Sequence, residues 1–290
     1  MIHLLTQCGD ILARARERKL FLFLDYDGTI APIADTPRAA VLPRRMKTVL
    51  QELSRAHGVK VAVISGRSLR DVKRMVGLRR VIYAGNHGLE IEDGCHRHEV
   101  FIPQYVKMHL AGVTALLKDD LRHIKGVLFE DKGLAIAIHY RKVDGKLVRF
   151  IQDAVALRTG RPGLRDILRV DTGKKVLELR PRVRWTKGDA VTWLLARYAH
   201  MPFENAVEKP RILHRIFPPK QKTRRPLGRA ILPLYIGDDV TDENGFTAVA
   251  RGGVPVFVGK PQPSRAAYWL RDTGEVYQFL KKVAQEALHA

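Results

Sequence analysis

The sequence predicts an α/β fold: a parallel sheet buried on both faces, with polar loops at the carboxyl ends of its strands and a smaller α/β block inserted part-way. Three observations predict it. Short apolar runs at residues 21–24, 59–64, 81–84, 232–236 and 254–258 lack the alternation of a half-exposed strand, as expected where helices cover both faces of a sheet. Several of these runs end directly in polar turns containing glycine, among them Asp25-Tyr26-Asp27-Gly28-Thr29, Ser65-Gly66-Arg67 and Gly237-Asp238-Asp239. Between about residues 101 and 178 the pattern changes, and runs of the first kind then resume. The expected division is therefore 1–98 and 181–290 for the main unit, with a basic insertion at about 204–229, and 99–180 for the inserted one.

The first run, Phe21-Leu22-Phe23-Leu24, leads straight into Asp25 and Asp27. The carboxyl end of a strand is where open α/β sheets hold their ligands. In extended backbone the two aspartates would point the same way. Two like charges on one face are costly unless a cation or a shared proton offsets them, and a hard divalent cation such as Mg2+ suits carboxylate oxygens. The plain alternative is an Asp turn closed by Gly28.

A proline-punctuated loop follows, and Pro43 opens a helix whose stripe is Met46, Val49, Leu50 and Leu53. Gly58 ends it, and the strand at 59–64 runs into Ser65-Gly66-Arg67. A hydroxyl and free backbone N–H groups at a strand end suit phosphate oxygens; helix capping by serine is the alternative and is compatible with it. The next strand, 81–84, meets Gly85-Asn86-His87-Gly88, a tight loop with unusual backbone angles. A structural part in that turn is favoured for His87 over a substrate contact.

The inserted block reads as a βαβ-like lid, with helices at 106–117 and 147–157, an extended stretch at 129–140 and a strand at 175–179. If 129–140 is one regular strand, Glu130, Lys132, Leu134, Ile136, Ile138 and Tyr140 share a face. Lys174 and Glu178, four apart, share another. Main-sheet motifs return with Trp185-Thr186-Lys187-Gly188 ahead of a helix over 189–198. A lysine near a helix start opposes the macrodipole; a phosphate partner explains it, and a surface lysine is the alternative. Residues 204–229 read as a long basic loop rich in proline. The strand at 232–236 then ends in Gly237-Asp238-Asp239-Val240-Thr241-Asp242-Glu243, whose acids, taken with Asp25 and Asp27, point to a metal site. A last strand at 254–258 and segments at 268–270 and 276–283 close the domain.

The formal net charge of +21 over 290 residues suits an anionic substrate, nucleic acid or an acidic surface. No RNA-binding aromatic motif or zinc-finger spacing accompanies it, so nucleic acid is not the expected partner. Cys8 and Cys95 stand far apart, which argues against a disulfide framework. No apolar run approaches the ~18 residues of a membrane span, and residues 1–20 lack the apolar segment of a signal peptide. A cytoplasmic enzyme without a membrane partner is the expectation.

The order D-x-D-G-T, S-G-R, W-x-K-G, G-D-D-x-T-D-E resembles the four motifs of the haloacid dehalogenase (HAD) phosphatases. From about residue 21 to 280 the chain more narrowly resembles the trehalose-6-phosphate phosphatase family. Gly85 to Glu90, Glu130-Asp131-Lys132-Gly133, His139-Tyr140-Arg141 and Leu177-Glu178-Leu179-Arg180-Pro181 carry that resemblance. Thr186 stands where that family often has Asp, and residues 204–229 exceed its usual short link.

The resemblance implies a Rossmann-like HAD core with a parallel sheet, a mobile α/β cap, and hydrolysis of trehalose 6-phosphate, a small-molecule sugar phosphate. It makes Asp25 the nucleophile and Asp27 the acid and base. Thr29, Ser65, Gly66, Arg67 and Lys187 face phosphate. Mg2+ is the implied cofactor, on Asp25, the Asp27 carbonyl and Asp238, with Asp239 and Asp242 one shell further out. Asn86, His87, Glu130, Lys132, Arg141, Lys174 and Glu178 are implied to contact the sugar, the alternative for the cap residues being a lattice of ion pairs. Phosphatases of sucrose phosphate or mannosyl-3-phosphoglycerate share the core motifs. A nucleic-acid-binding protein on the same scaffold is the rival of a different class, and it has no need of the catalytic set.

Overall fold

The computed structural model describes residues 1–34, 36, 39–94, 96–173, 175–199, 212–216 and 230–288. The chain divides into two compact units, Met1–Glu99 with Trp185–Ala290, and Val100–Arg184. Before the smaller unit come β1 (Ile2–His3), α1 (Cys8–Arg16), β2 (Lys19–Leu24), α2 (Arg44–Arg55), β3 (Val59–Ile64), α3 (Leu69–Val76), β4 (Ile82–Gly85), β5 (Glu90–Asp93) and β6 (His96–Val100). The smaller unit holds α4 (Gln104–Asp120), β7 (Leu128–Asp131), β8 (Ile136–His139), α5 (Val148–Thr159), α6 (Leu164–Ile167), β9 (Leu168–Gly173) and β10 (Val176–Pro181). The chain then adds α7 (Lys187–Tyr198), β11 (Ile212–Ile216), β12 (Ile231–Gly237), α8 (Glu243–Val249), β13 (Val254–Val258), β14 (Tyr268–Leu270) and α9 (Thr273–Leu288).

Among the described residues the large sheet runs β1-β14-β13-β12-β2-β3-β4-β5-β6-β11. Its pairings from β1 to β4 are all parallel. Every residue of β3, β12 and β13 is buried, as is β2 after Lys19, which is why these strands read as apolar runs without alternation, Lys60 of β3 being the one charged residue among those buried. Met46, Val49, Leu50 and Leu53 of α2 form the buried stripe that their spacing predicts. The chain winds from β2 to β3 and β4 on one side, while β12, β13 and β14 lie on the other. The order thus reverses between β2 and β12, and a crevice opens at the carboxyl ends of strands flanking such a reversal. In the register of these two strands Leu24 pairs with Ile236, so Asp25 and Asp238 begin their turns almost side by side.

Several expectations are corrected. Residues 129–140 are not one strand but the hairpin β7-β8. The Asp131 carboxylate accepts from the Gly133 N–H at 2.7 Å, Gly133 has φ +79°, and the Lys132 N–H closes the turn on the Ala135 carbonyl at 2.9 Å. Asp-Lys-Gly is a turn signal that outweighs the apolar alternation around it. Glu130 therefore pairs with Ala137 and lies on the face opposite Ile136 and Ile138. The smaller sheet, in order β7-β8-β10-β9, has antiparallel pairings throughout rather than a βαβ crossover.

Glu90 to Val100 adds an antiparallel hairpin to the large sheet that the polar sequence concealed. Helix α1 turns Cys8 and Ile11 inward, where both are buried, and burial raises the Cys8 thiol above its ordinary value. Within the segment expected as one basic loop, β11 joins the sheet edge at β6; the rest of 204–229 lies outside the described residues, as do Cys95 and Lys174. Among the described residues no helix is long and apolar enough to cross a membrane.

Candidate active site

Strand β2 stops at Leu24, so side-chain alternation does not carry through the turn that follows. Asp25 and Asp27 consequently meet different partners. Asp25 is buried, its N–H donates to the Ile236 carbonyl at 2.9 Å, and its Oδ1 accepts from Lys187 Nζ at 2.7 Å. Asp27 is held by Arg67, Nε to Oδ2 at 2.7 Å and Nη2 to Oδ1 at 2.5 Å. Thr29 is fully buried, and its Oγ1 has no hydrogen-bond partner among the described residues.

Gly28, with φ +80°, admits Asp238, because a Cβ there would lie 2.2 Å from Asp238 Oδ2. Gly28→Ala is therefore expected to lower the melting temperature, the left-handed backbone alone costing ~1–2 kcal/mol, and to weaken binding of an added divalent cation by displacing the Asp238 carboxylate. Wild-type melting and cation affinity in that variant would show that Asp238 moves aside freely.

Lys187 is the first residue of α7, and its three neighbours place it. Trp185 Nε1 donates to the Gly88 carbonyl at 2.8 Å. Thr186 caps the helix in a capping box: its N–H donates to Asp189 Oδ2 at 2.8 Å, and its hydroxyl oxygen accepts from the Asp189 N–H at 3.3 Å. The threonine thus serves as the cap. A Cβ on Gly188 would lie 2.2 Å from the Asn244 carbonyl oxygen, so glycine lets α7 and α8 approach. The Lys187 ammonium, 3% exposed, donates to Asp25 Oδ1 and Asp242 Oδ1, each at 2.7 Å. Burial disfavours its charge, but Asp242 and Asp25 more than offset this and raise Lys187 above its ordinary value. An ammonium has three donors, so a third remains for a reactant.

Asp242, fully buried, is saturated. Its Oδ1 accepts from Lys187 and from the Tyr235 hydroxyl at 2.7 Å, and its Oδ2 accepts from the backbone N–H groups of Asp238 and Asp239 at 3.1 and 3.0 Å. It fastens the acidic turn to Lys187. Burial, with the charges of Asp242 and Asp25, holds the Tyr235 phenol well above its ordinary range, so it stays a donor. Tyr235 escaped the sequence reading; the signal was a hydroxyl inside an otherwise apolar strand, where a buried phenol needs a partner. Asp239 accepts from the Val240 N–H at 2.7 Å and caps the following turn.

Asp25, Asp238 and Asp242 each offer a carboxylate oxygen within 4.8 Å of the others. The Asp27 carboxylate is not part of this cluster. Burial pushes Asp25 well above the ordinary carboxylate range, Lys187 opposes this, and Asp242 and Asp238 push it further up. Three carboxylates against one ammonium, all hard oxygen donors, fit a divalent cation. With Asp242 committed, Asp25 and Asp238 are the side chains that fit as ligands.

Ser65, Gly66 and Arg67 are locked to the Asn86-His87 loop. The His87 N–H donates to the Ser65 carbonyl at 2.9 Å and the Asn86 N–H to the Arg67 carbonyl at 2.7 Å. A Cβ on Gly66 would lie 2.8 Å from His87 Cε1. Asn86 and His87 both have left-handed backbones, φ 50° and 58°. Asn86 Nδ2 donates to Glu90 Oε2 at 2.7 Å. Ser65 Oγ accepts from the Arg67 N–H at 3.1 Å, leaving its own proton available.

In the smaller unit, register places Glu130, Ala137, Glu178 and Asp171 in one row across four strands, hence on one face. Lys132 Nζ donates to Glu178 Oε1 at 2.7 Å, Glu130 Oε2 lies 2.8 Å from His139 Nε2, and Arg141 is exposed. The opposite face carries buried Ile136, Ile138, Leu177 and Leu179.

A family model of trehalose-phosphatase matches residues 23–272. The chain belongs to the trehalose-phosphatase family. A trehalose-phosphate phosphatase of Mycobacterium marinum is 34% identical over 271 residues, covering 91% of this chain and 61% of that one. Trehalose-phosphate phosphatase B of Arabidopsis thaliana is 29% identical over 295 residues, covering 97% and 70%. The chain thus spans less than two thirds of the mycobacterial member's length. The C-terminal domain of C. albicans trehalose-6-phosphate phosphatase superposes with a TM-score of 0.72 at 23% identity, covering 96% and 97% of the two chains. That likeness shows the fold, a Rossmann-like core built on a parallel sheet with an additional α/β unit.

Proposed function

We propose that this chain is a Mg2+-dependent phosphatase that hydrolyses trehalose 6-phosphate to trehalose and phosphate through an aspartyl-phosphate on Asp25. The observation that carries the reading is the contact of one ammonium, Lys187, with Asp25 and Asp242, 162 and 55 residues away in the chain. Segments distant in sequence converge on Asp25, and the family's members named above supply the substrate.

In this proposal Asp25 attacks phosphorus in line as the sugar oxygen departs. Asp27 gives its proton to that oxygen and then takes one from the water that hydrolyses the aspartyl-phosphate. Lys187 and Ser65 donate to phosphoryl oxygens, and Asp242 with Tyr235 holds Lys187 in place. Mg2+, on Asp25, Asp238 and the Asp27 carbonyl, would supply neutralisation of phosphoryl charge. The test is phosphate release from trehalose 6-phosphate, sucrose phosphate and mannosyl-3-phosphoglycerate, with and without Mg2+. Faster release from either of the others would move the assignment to that substrate; release from none would remove it.

The polar face of the smaller unit would recognise the sugar, and Glu178 tests this. Glu178→Ala is expected to lower kcat/KM for trehalose 6-phosphate roughly tenfold or more, in line with ~1.5–3 kcal/mol for a charged hydrogen bond. Turnover of p-nitrophenyl phosphate, which has no sugar, should barely change. Equal losses on both substrates would assign Glu178 to the fold, through its ion pair with Lys132.

A further inference from the structure

We propose that Arg67 is a positioning residue that acts through Asp27, and that it does not serve chiefly as a phosphate ligand. The inference rests on the phosphatase chemistry proposed above but not on the identity of the sugar. Arg67 engages both oxygens of Asp27 through its Nε and Nη2, at 2.7 and 2.5 Å. A planar fork matched to a carboxylate fixes its direction as well as its place. The fork is itself anchored. The guanidinium carbon lies 5.2 Å from the centroid of the Tyr26 ring, and the Tyr26 hydroxyl donates to the Ala40 carbonyl at 2.9 Å. The Arg67 N–H donates to Ser65 Oγ, and its carbonyl accepts from Asn86.

The arginine side chain is 9% exposed, whereas that of Asp27 is 39% exposed. A buried cation therefore steadies a carboxyl group that reactants can reach. Asp27 lies beyond the end of β2, where the sheet no longer orients it, so its aim depends on this contact.

The two roles separate by leaving group. A proton from Asp27 matters for a sugar alkoxide, which is a poor leaving group, and little for p-nitrophenolate, which departs unaided. The specificity constant reports only steps up to that departure. Arg67→Ala and Arg67→Lys are compared with wild type on p-nitrophenyl phosphate and on whichever sugar 6-phosphate the wild type turns over. Folding is checked by circular dichroism. Arg67→Ala is expected to lower kcat/KM for the sugar phosphate by roughly ten- to a hundredfold, part of the ~100–10,000-fold that a positioned acid contributes. For the aryl phosphate it should fall less than about threefold. In an Asp27→Asn background, Arg67→Ala should add almost nothing, since its effect passes through the missing carboxyl.

Arg67→Lys keeps the charge without the fork and should share the selective loss; it also answers the question if the alanine variant does not fold. Equal losses on both substrates, or losses additive with Asp27→Asn, would overturn the proposal and return Arg67 to the phosphate. Absence of wild-type activity on trehalose 6-phosphate alone would instead overturn only the substrate assignment.

Discussion

Asp25→Asn is expected to abolish turnover, by a factor of ~10,000 or more, while leaving the fold intact. An amide oxygen is a feeble nucleophile, and the aspartyl-phosphate requires a carboxylate. Asn is isosteric and its carbonyl oxygen still accepts from Lys187, whose second partner Asp242 is untouched. The substitution also removes one negative charge from a buried cluster of three acids, in which burial, Asp242 and Asp238 all disfavour an ionised Asp25. Without metal the variant should therefore melt at or above the wild-type temperature, as happens when a site strained for function is relaxed. Phosphate release and thermal melting, measured on the same preparation, check both halves. Retained turnover would remove Asp25 as nucleophile, and a large drop in melting temperature would make the carboxylate a structural charge.

Thorough chelation should likewise silence the enzyme, and Mg2+ should restore it. Asp238→Ala should raise the Mg2+ concentration for half-activation by about ten- to a hundredfold, the equivalent of ~1.5–3 kcal/mol for one charged contact. Asp238 is singled out because Asp242, the neighbouring acid, has both oxygens committed to Lys187, Tyr235 and two backbone N–H groups. Alanine at 242 would strip Lys187, the Tyr235 hydroxyl and two backbone N–H groups of one shared acceptor, whereas asparagine at 25 keeps an acceptor for Lys187; removing one partner of a buried pair outright costs ~3–5 kcal/mol. Asp242→Ala should therefore lose stability before it loses metal. Calorimetric titration with Mg2+ separates the cases without reference to activity. Unchanged Mg2+ affinity in Asp238→Ala, or full turnover in chelated enzyme, would refute this account of the cluster.

Much of the architecture was legible because its signals are local. A run such as Val59-Lys60-Val61-Ala62-Val63-Ile64 excludes solvent from both faces, and the polar turns at strand ends follow within a few residues of it. Misreadings arose where local signals competed. Apolar alternation from Phe129 to Tyr140 suggested one strand, and Asp131, Lys132 and Gly133 turned it into two. The hairpin of β5 and β6 carries Glu, Asp, His and Arg, so its sequence lacks an apolar period, and it is fixed by pairing with β4.

By itself, the sequence determined the chemical inventory and its local placement: D-x-D-G-T, S-G-R and G-D-D are each set within one strand-to-turn junction, and W-x-K-G at the start of a helix. Tertiary structure alone decided who meets whom. Asp25 and Asp27, two residues apart, go to Lys187 and Arg67 respectively. Asp242 is used up in holding the site, and a tyrosine hydroxyl is drawn into it from inside β12. The reason is physical. Side-chain direction follows the two-residue period only while backbone stays in the ladder, and the ladder ends at Leu24. Beyond that point each polar group takes the partner that strand order and the packing of α7 bring within hydrogen-bond reach. A buried charge cannot remain without one.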